Sequence, residues 1–227
     1  MRNGSERVWV RTRDSRRLFY VAIVSVTLVL GGITAGPASA KARERTTVTS
    51  LLNTLPVAVE NNVGYDRSMF RHWITTDGCS TREWVLIRQT IVGELDDCIV
   101  VGGKWFSRYD GKSTTVASGF DIDHMVPLAE AWGSGAATWT SQRRQDYAND
   151  LSYRPALIAV TASSNRSKGD RDPAEWLPPS KSYWCKYLRQ WVGVKYRWGL
   201  SVDPEEKAAI SEGIEGCAAG MQEPALG

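Results

Sequence analysis

A short alternating segment, Asp121–Pro127 (D-I-D-H-M-V-P), limits what this chain can fold into more than any other part of the sequence. Around it the apolar residues Phe120 and Ile122 alternate with two aspartates, which is the period of a half-buried strand. Successive side chains of a strand point to opposite faces, so Asp123 and His124 are expected on opposite faces. An acid beside a histidine that titrates near neutrality can combine a metal ligand with a general base.

Two polar motifs follow this segment along the chain. Asn149 lies in A-N-D-L, and N-R-S-K-G-D occupies residues 165–170. The second motif comes directly after Leu157–Thr161, a β-prone run. The arrangement predicts a hairpin followed by a helix, with the polar residues gathered between them.

The order D-x-D-H-x-x-P, N-D-L, N-R-x-K-G-D resembles that of the HNH (His-Me finger, ββα-metal) endonucleases. The HNH domain of the CRISPR RNA-guided nucleases has a similar order with a shorter insert. The longer matches D-I-D-H-x-V-P-L-A-E-A-W, S-G-A and N-R-S-K-G-D are similar to secreted actinobacterial HNH-family proteins. Those proteins share a domain with the C-terminal part of type IV, modified-cytosine restriction enzymes. The resemblance runs from about Tyr65 to about Cys217.

This resemblance implies a single α+β domain, residues 65–220, built around a ββα-metal finger at about 113–172. In such a site Asp123 and Asn165 bind one divalent cation and His124 is the general base. Carboxylate and amide oxygens are hard ligands, which favours Mg²⁺, with Mn²⁺ as the alternative. The implied substrate is nucleic acid, DNA rather than RNA.

Three further residues receive roles by resemblance. Asn149 either braces the hairpin loop or acts in catalysis, and bracing is the preferred reading. Lys168 is assigned to catalysis and to phosphate contact, and Arg166 to phosphate contact. The alternative for Lys168 is an ion pair with Asp170 or Asp172.

Residues 1–40 have the pattern of an export signal. Six arginines accompany the apolar run Leu18–Leu30, and Ala38-Ser39-Ala40 supplies a cleavage site. Ser15–Phe19 also resembles a twin-arginine signal, so Sec and twin-arginine export both remain open. The expected product is a secreted protein without stable membrane association, with a leader at 41–64; an uncleaved anchor is the alternative.

Removing the signal changes the charge of the chain. Residues 1–40 carry six of its 28 basic and two of its 25 acidic residues, so 22 basic and 23 acidic residues remain, a net charge of −1. No global basic field therefore supports nucleic-acid binding, and any phosphate-binding surface must be local.

Cysteines occur at positions 79, 98, 185 and 217. An even number in an exported chain predicts two disulfides with three pairings to choose from. Pairing Cys79 with Cys98 and Cys185 with Cys217 closes the most local loops and is favoured. A zinc site is the alternative, but C-x-x-C spacing is missing.

Several elements are predicted from local pattern. Tyr65–Trp73 is interpreted as a helix, and Trp84–Thr90, which is apolar and β-branched, as one of the strands ahead of the hairpin. The aromatic and basic stretch Ser182–Trp198 either stacks bases or packs a helix on the core, and packing is preferred. Asp203 predicts the N-cap of a last helix from Pro204 to Cys217.

Two classes of function remain after this reading. The first is a secreted metal-dependent endonuclease. The alternative is a non-enzymatic, disulfide-stabilised binding module that keeps the same scaffold. Oligomeric state is left open by the sequence.

Overall fold

The computed structural model describes residues 47–217; the predicted export signal, the start of the leader (41–46) and residues 218–227 lie outside the described residues. The helices in this range are α1 (Val48–Thr54), α2 (Thr81–Gln89), α3 (Leu128–Gly133), α4 (Ser141–Ala148), α5 (Ala162–Lys168), α6 (Trp184–Trp198) and α7 (Pro204–Glu215). The strands are β1 (Thr75–Thr76), β2 (Cys79–Ser80), β3 (Val92–Asp96), β4 (Ile99–Phe106), β5 (Ser113–Thr114), β6 (Phe120–His124) and β7 (Leu157–Thr161). The fold is a mixed α/β domain.

Three small antiparallel sheets are formed, by β1 and β2, by β3, β4 and β5, and by β6 and β7. In the last of these, Asp123 lies opposite Ile158 and His124 opposite Leu157. The alternating segment and the β-prone run of the sequence are therefore the two strands of one ladder, as predicted.

The β6–β7 pair lies between two hydrophobic clusters. The smaller cluster contains side chains of α2, β4 and one face of the pair, namely Val85, Leu86, Trp105, Phe120, Ile122, Leu157 and Ala159. The larger cluster contains Ile158 and Val160 from the opposite face, together with side chains of α1, α3, α4, α6 and α7. Each face of the pair is thus fixed by burial, because a shift of one residue would exchange the two faces.

Helix α5 begins where β7 ends. The Thr161 hydroxyl accepts a hydrogen bond from the Ser164 amide and caps the helix. Gly169 ends it with φ of +57°, a conformation that glycine adopts without the steric cost of a side chain. The order β6, β7, α5 brings Asn165 and Lys168, which lie one turn apart, onto the strand face that carries Asp121 and Asp123.

The two C-terminal helices agree with the sequence prediction. Tyr187 and Trp191 of α6 are fully buried in the larger cluster, so this aromatic helix packs on the core. Helix α7 starts after Asp203, whose side chain accepts from the Glu206 amide in a capping box.

Both favoured disulfides are confirmed. Cys79 is bonded to Cys98 and Cys185 to Cys217, at sequence separations of 19 and 32. The second bond joins the start of α6 to the segment after α7. Loops of these lengths correspond to about 3 kcal/mol each if the effect is entropy lost from the unfolded chain.

The interpretation of Trp84–Thr90 as a strand is wrong, because this segment belongs to α2. Ser80 accepts from the Glu83 amide and Glu83 accepts from the Ser80 amide, which makes a complete capping box. This S-T-R-E signature is visible in the sequence and outweighs the β-branched composition that follows it.

The helix expected at Tyr65–Trp73 is also not formed. Asp66 caps only one 3₁₀ turn, Arg67–Met69, after which Phe70 is extended. Trp73 then takes a φ of +58°. This turning path buries Phe70 in the larger cluster and brings Trp73 against the ring of His124.

Part of the predicted leader belongs to the folded body. Helix α1 is capped by Thr47 and buries Val48, Leu51 and Leu52 in the larger cluster. Farther along, Val57 forms a parallel bridge with Val202. The chain thus contributes to the core before residue 65.

Candidate active site at the β6–β7 hairpin

His124 ends β6 as a buried side chain, with 6% of its surface exposed. Its ring is stacked on that of Trp73, with centroids 5.3 Å apart, and is nearly parallel to that of Tyr147 at 6.4 Å. Its Nε2 lies 2.9 Å from the Ala148 carbonyl oxygen. Because a carbonyl only accepts, Nε2 carries the proton and Nδ1 presents a lone pair. Burial lowers the pKa of His124 to about 3, so the imidazole is neutral at neutral pH.

Asn149 fixes the carbonyl that orients His124, since it is the residue after Ala148. Its Oδ1 accepts from the amide of Ile74 and the hydroxyl of Thr81, at 3.1 and 2.7 Å. Its Nδ2 donates to the carbonyls of Arg71 and Gln145. Three of these four hydrogen bonds tie the end of α4 to the segment that leads into and begins α2, and the fourth lies within α4. Of the two roles considered for Asn149, bracing and catalysis, this arrangement corresponds to bracing.

Asp123 lies on the other face of β6, where it is buried with 5% exposure. Its Oδ2 accepts from Lys168 Nζ and from the Tyr109 hydroxyl, both at 2.6 Å. Burial raises the pKa of Asp123, although Lys168 and Tyr109 act in the opposite direction. Burial also raises the pKa of Tyr109, which stays protonated and donates.

Lys168 is fully buried beneath the hairpin. Besides Asp123 it donates to the backbone carbonyls of His124 and Met125, at 2.7 and 3.1 Å. Burial lowers its pKa, and Asp123 opposes that shift. The ammonium thus pairs with Asp123 and not with Asp170 or Asp172, and it locks the helix to the end of the strand.

Asn165 contacts a neighbouring carboxylate of the same strand face. Its Nδ2 donates to Asp121 Oδ2 at 3.1 Å. Arg166, the next residue, is exposed on α5. The three predicted site residues of α5 therefore have different environments. Lys168 is buried and pairs with Asp123, Asn165 is half-buried and contacts Asp121, and Arg166 is exposed.

The oxygen atoms on this face suit a hard cation. Within residues 47–217 the Oδ1 atoms of Asp123 and Asn165 accept no hydrogen bond, so each has lone pairs available. No group of three or more histidine, cysteine, aspartate or glutamate side chains in that range is placed to hold a metal ion. A cation here would have two protein ligands and would complete its coordination with water and substrate oxygens.

The sequence reading missed two residues of this site. The sequence pattern assigns no role to Tyr109, and it predicts Trp73 only as part of a helix that does not form. Both contacts join residues distant in sequence, Tyr109 with Asp123 and Trp73 with His124. Local pattern carries no signal for either one.

Comparison with known proteins places the chain in a family. The model of the C-terminal domain of GmrSD restriction endonucleases matches residues 90–212, which include β6, β7 and α5. An uncharacterized secreted protein of Arthroderma benhamiae is 45% identical over 201 residues, covering 87% of this chain and 98% of that protein. No solved structure matches the chain.

The protein is secreted, in agreement with the export signal expected from the sequence. None of the helices between residues 47 and 217 has the length and apolar character to cross a membrane. By the extent of this match, the chain belongs to the family of the GmrSD restriction endonuclease C-terminal domain.

Proposed function

We propose that this protein is a secreted, metal-dependent endonuclease that hydrolyses phosphodiester bonds, with β6, β7 and α5 as an HNH-type ββα-metal finger. The observation that carries the proposal is the hydrogen bond from His124 Nε2 to the Ala148 carbonyl, which leaves Nδ1 as a base. The adjacent residue, Asp123, is a buried carboxylate. A base and an acidic cation ligand that are neighbours in sequence have the chemistry required for this reaction.

Phosphodiesters hydrolyse slowly because the anionic phosphate repels an attacking hydroxide and the leaving alkoxide must be stabilised. A divalent cation bound by Asp123 and Asn165 would supply positive charge for both problems. Mg²⁺ fits these oxygen ligands best, and Mn²⁺ is the alternative.

The role of His124 is to accept the proton of the attacking water at Nδ1. Its environment keeps the ring neutral and therefore in the basic form. The Ala148 carbonyl and the rings of Trp73 and Tyr147 hold it in one orientation. A positioned base of this kind contributes about 10²–10⁴-fold to the rate.

The two cations of α5 are assigned different roles in this proposal. Lys168 neutralises Asp123 from inside the protein, so its role in the reaction is to position that carboxylate. Arg166 is exposed beside Asn165 and is assigned to a phosphate of the substrate strand. The proposed substrate is nucleic acid, with DNA preferred over RNA.

One observation favours the alternative, a binding module that keeps the scaffold without activity. Asp123 Oδ2 already has two donors, Lys168 and Tyr109. A carboxylate satisfied in this way does not require a cation. Titration of the wild type and of Asp123→Ala with Mn²⁺ separates the two functions. A nuclease is expected to bind the ion and to lose it in Asp123→Ala, whereas a scaffold is expected to bind no ion that depends on Asp123.

The nuclease proposal is tested by nicking of supercoiled plasmid with Mg²⁺, with Mn²⁺ and with EDTA. His124→Ala is expected to lower the rate at least about 10²-fold, since the base is removed. The matched control is His72→Ala, which removes the other histidine of the chain; it is expected to keep most of the activity. EDTA is expected to stop the wild type. Equal rates for the two histidine variants would reject the assignment of the base.

A further inference from the structure

A second concave site lies along the free edge of β7. It is a cavity of about 630 Å³, lined by residues of β7 (Ile158 and Ala159), by the end of β4 (Phe106) and by α6 (Lys186, Arg189 and Gln190), among others. Its volume is within the range of about 300–1,000 Å³ that small-molecule sites occupy. The lining contains neither His124 nor Asp123 nor any residue of α5.

The wall formed by β7 is closed by a side chain. Gln89 accepts from the Ala159 amide at 3.0 Å and donates to the Leu157 carbonyl at 2.8 Å. The amide group of Gln89 thereby takes the place of a neighbouring strand. The backbone groups of Leu157 and Ala159 at the edge of β7 are therefore hydrogen-bonded, and the cavity beside them is lined by side chains.

The charges around the cavity are all of one sign. Four of its lining residues are cations, Arg108, Arg154, Lys186 and Arg189, and none is acidic. Within residues 47–217 these four take part in no ion pair. Burial lowers the pKa of Lys186, and the charges of Arg108, Arg189 and Arg154 lower it further. Such a group of like charges favours binding of an anion.

Two buried polar atoms in the lining have no partner within residues 47–217. The Tyr153 hydroxyl, on a residue with 2% exposure, forms no hydrogen bond in that range, nor does Arg189 Nε. Buried polar groups in proteins are nearly always hydrogen-bonded, so a missing partner calls for an explanation. Both atoms are donors that an anionic oxygen would satisfy.

We propose that this cavity binds a nucleotide, with the phosphate held by Arg108, Lys186 and Arg189 and the Tyr153 hydroxyl. Guanidinium and ammonium groups together form the strongest hydrogen bonds to phosphate oxygens. Phe106, 40% exposed at the cavity, offers a ring against which a base can stack. Residues 41–227 have no excess of basic residues overall, yet four cations are concentrated in the lining of this cavity.

The cavity is linked to the hairpin site through two rings. Tyr183 lines the cavity and contacts the ring of Tyr109 with centroids 6.1 Å apart. Tyr109 in turn donates to Asp123. The nucleotide is either a unit of a strand held near the hairpin or a free mononucleotide, and both present the same phosphate chemistry.

The proposal is tested by calorimetric titration with thymidine 5′-monophosphate and, separately, with thymidine, both in EDTA. The wild type is expected to bind the phosphorylated probe and not thymidine. Lys186→Gln is expected to weaken binding about tenfold, as for loss of a charged hydrogen bond. Lys207→Gln, which removes a lysine from α7, is the matched control and is expected to bind as the wild type does.

The double variant Arg108→Gln/Lys186→Gln is expected to lose measurable binding, with a thermal unfolding scan to show that it is folded. Equal affinity in Lys186→Gln and Lys207→Gln would overturn the assignment. So would equal affinity for thymidine and its monophosphate, or no binding of the monophosphate by the wild type.

A labelled single-stranded oligonucleotide in the same buffer distinguishes the two sources of the nucleotide, a strand and a free mononucleotide. Displacement of the oligonucleotide by the monophosphate assigns the cavity to a strand, and lack of displacement assigns it to a free nucleotide. Lys207→Gln is expected to bind both probes unchanged. Because EDTA prevents metal-dependent cleavage, failure of the nuclease proposal leaves this result unaffected.

Discussion

Lys168 is the most deeply buried cation of the hairpin site, two residues from Arg166 on the same helix. It has no exposed surface and pairs with Asp123 at 2.6 Å, whereas Arg166 is exposed. A buried ion pair adds little stability compared with an apolar pair, but removal of one partner leaves an uncompensated buried charge. The two residues belong to the same N-R-S-K-G-D motif but are therefore expected to respond very differently to substitution.

Replacing Lys168 by methionine is expected to lower the free energy of unfolding by about 3–5 kcal/mol, because Asp123 keeps its burial and loses its counterion. Arg166→Met is expected to change it by less than about 0.5 kcal/mol, as is usual for an exposed position. Urea unfolding followed by circular dichroism measures both values. Similar small losses in the two variants would mean that the Asp123–Lys168 pair is not what holds α5 to β6.

At this scale the sequence predicted which residues carry polar groups, but not their partners. Alternation placed Asp123 and His124 on opposite faces, and the structure agrees. Lys168 is predicted to contact phosphate, with Asp170 or Asp172 as the alternative partner, whereas its ion pair is with Asp123, 45 residues away. Strand pairing brings such residues together, and only the three-dimensional structure shows which oxygen a long side chain reaches.

Among the elements, α4 and the segment before α2 are joined chiefly by Asn149. The side chain satisfies two backbone carbonyls, one backbone amide and one hydroxyl. Substitution by alanine is expected to cost about 2–4 kcal/mol, because several partly buried groups lose their partner together. Urea unfolding of Asn149→Ala tests this, with Asn53→Ala, at an exposed position, as the control.

The same variant separates bracing from direct catalysis. A brace predicts that activity and stability fall together in Asn149→Ala, because the Ala148 carbonyl that orients His124 moves with the loop. Loss of plasmid nicking with an unchanged unfolding midpoint would instead assign Asn149 to the reaction itself.

Element prediction succeeded where a local signal was complete and failed where two signals competed. Asp203 and Pro204 start α7 as expected, because cap and first position agree. In α2 the capping box of Ser80 and Glu83 outweighs a β-branched stretch. At Trp73 no local sequence pattern predicts the positive φ. This backbone angle accompanies tertiary contacts, namely the burial of Phe70 and the stacking of Trp73 on His124.

Across the whole molecule, four segments meet at a buried charge cluster. Lys195 of α6 contacts Glu130 of α3 and Glu206 of α7, at 2.5 and 2.6 Å. Glu60, from the segment after α1, interacts with Glu130. One ammonium thus faces three carboxyl groups, so the cluster carries more negative than positive charge when all of them are ionised. No local pattern predicts this cluster, because its first and last members, Glu60 and Glu206, are 146 positions apart.

The cluster makes stability depend on pH. Burial and then Glu130 raise the pKa of Glu60 from 4.5 to about 7. Burial likewise raises the pKa of Glu206 to about 7, with Lys195 acting against that shift. A carboxyl group whose pKa is higher in the folded state than in the unfolded state binds its proton more tightly when folded. Its contribution is complete below pH 4.5 and is lost as the pH rises through about 7.

We therefore expect these two groups to lower the unfolding temperature as the pH is raised from about 4.5 to about 7. Glu60→Gln removes one of them at a half-buried position, so this variant should lose less stability over the interval than the wild type. Glu94→Gln, at an exposed position of β3, should keep the wild-type dependence. Thermal unfolding at half-unit pH steps gives the three curves. If Glu60→Gln and Glu94→Gln follow the same curve, Glu60 does not hold its proton more tightly in the folded protein, and the excess negative charge of the cluster is dispersed by solvent.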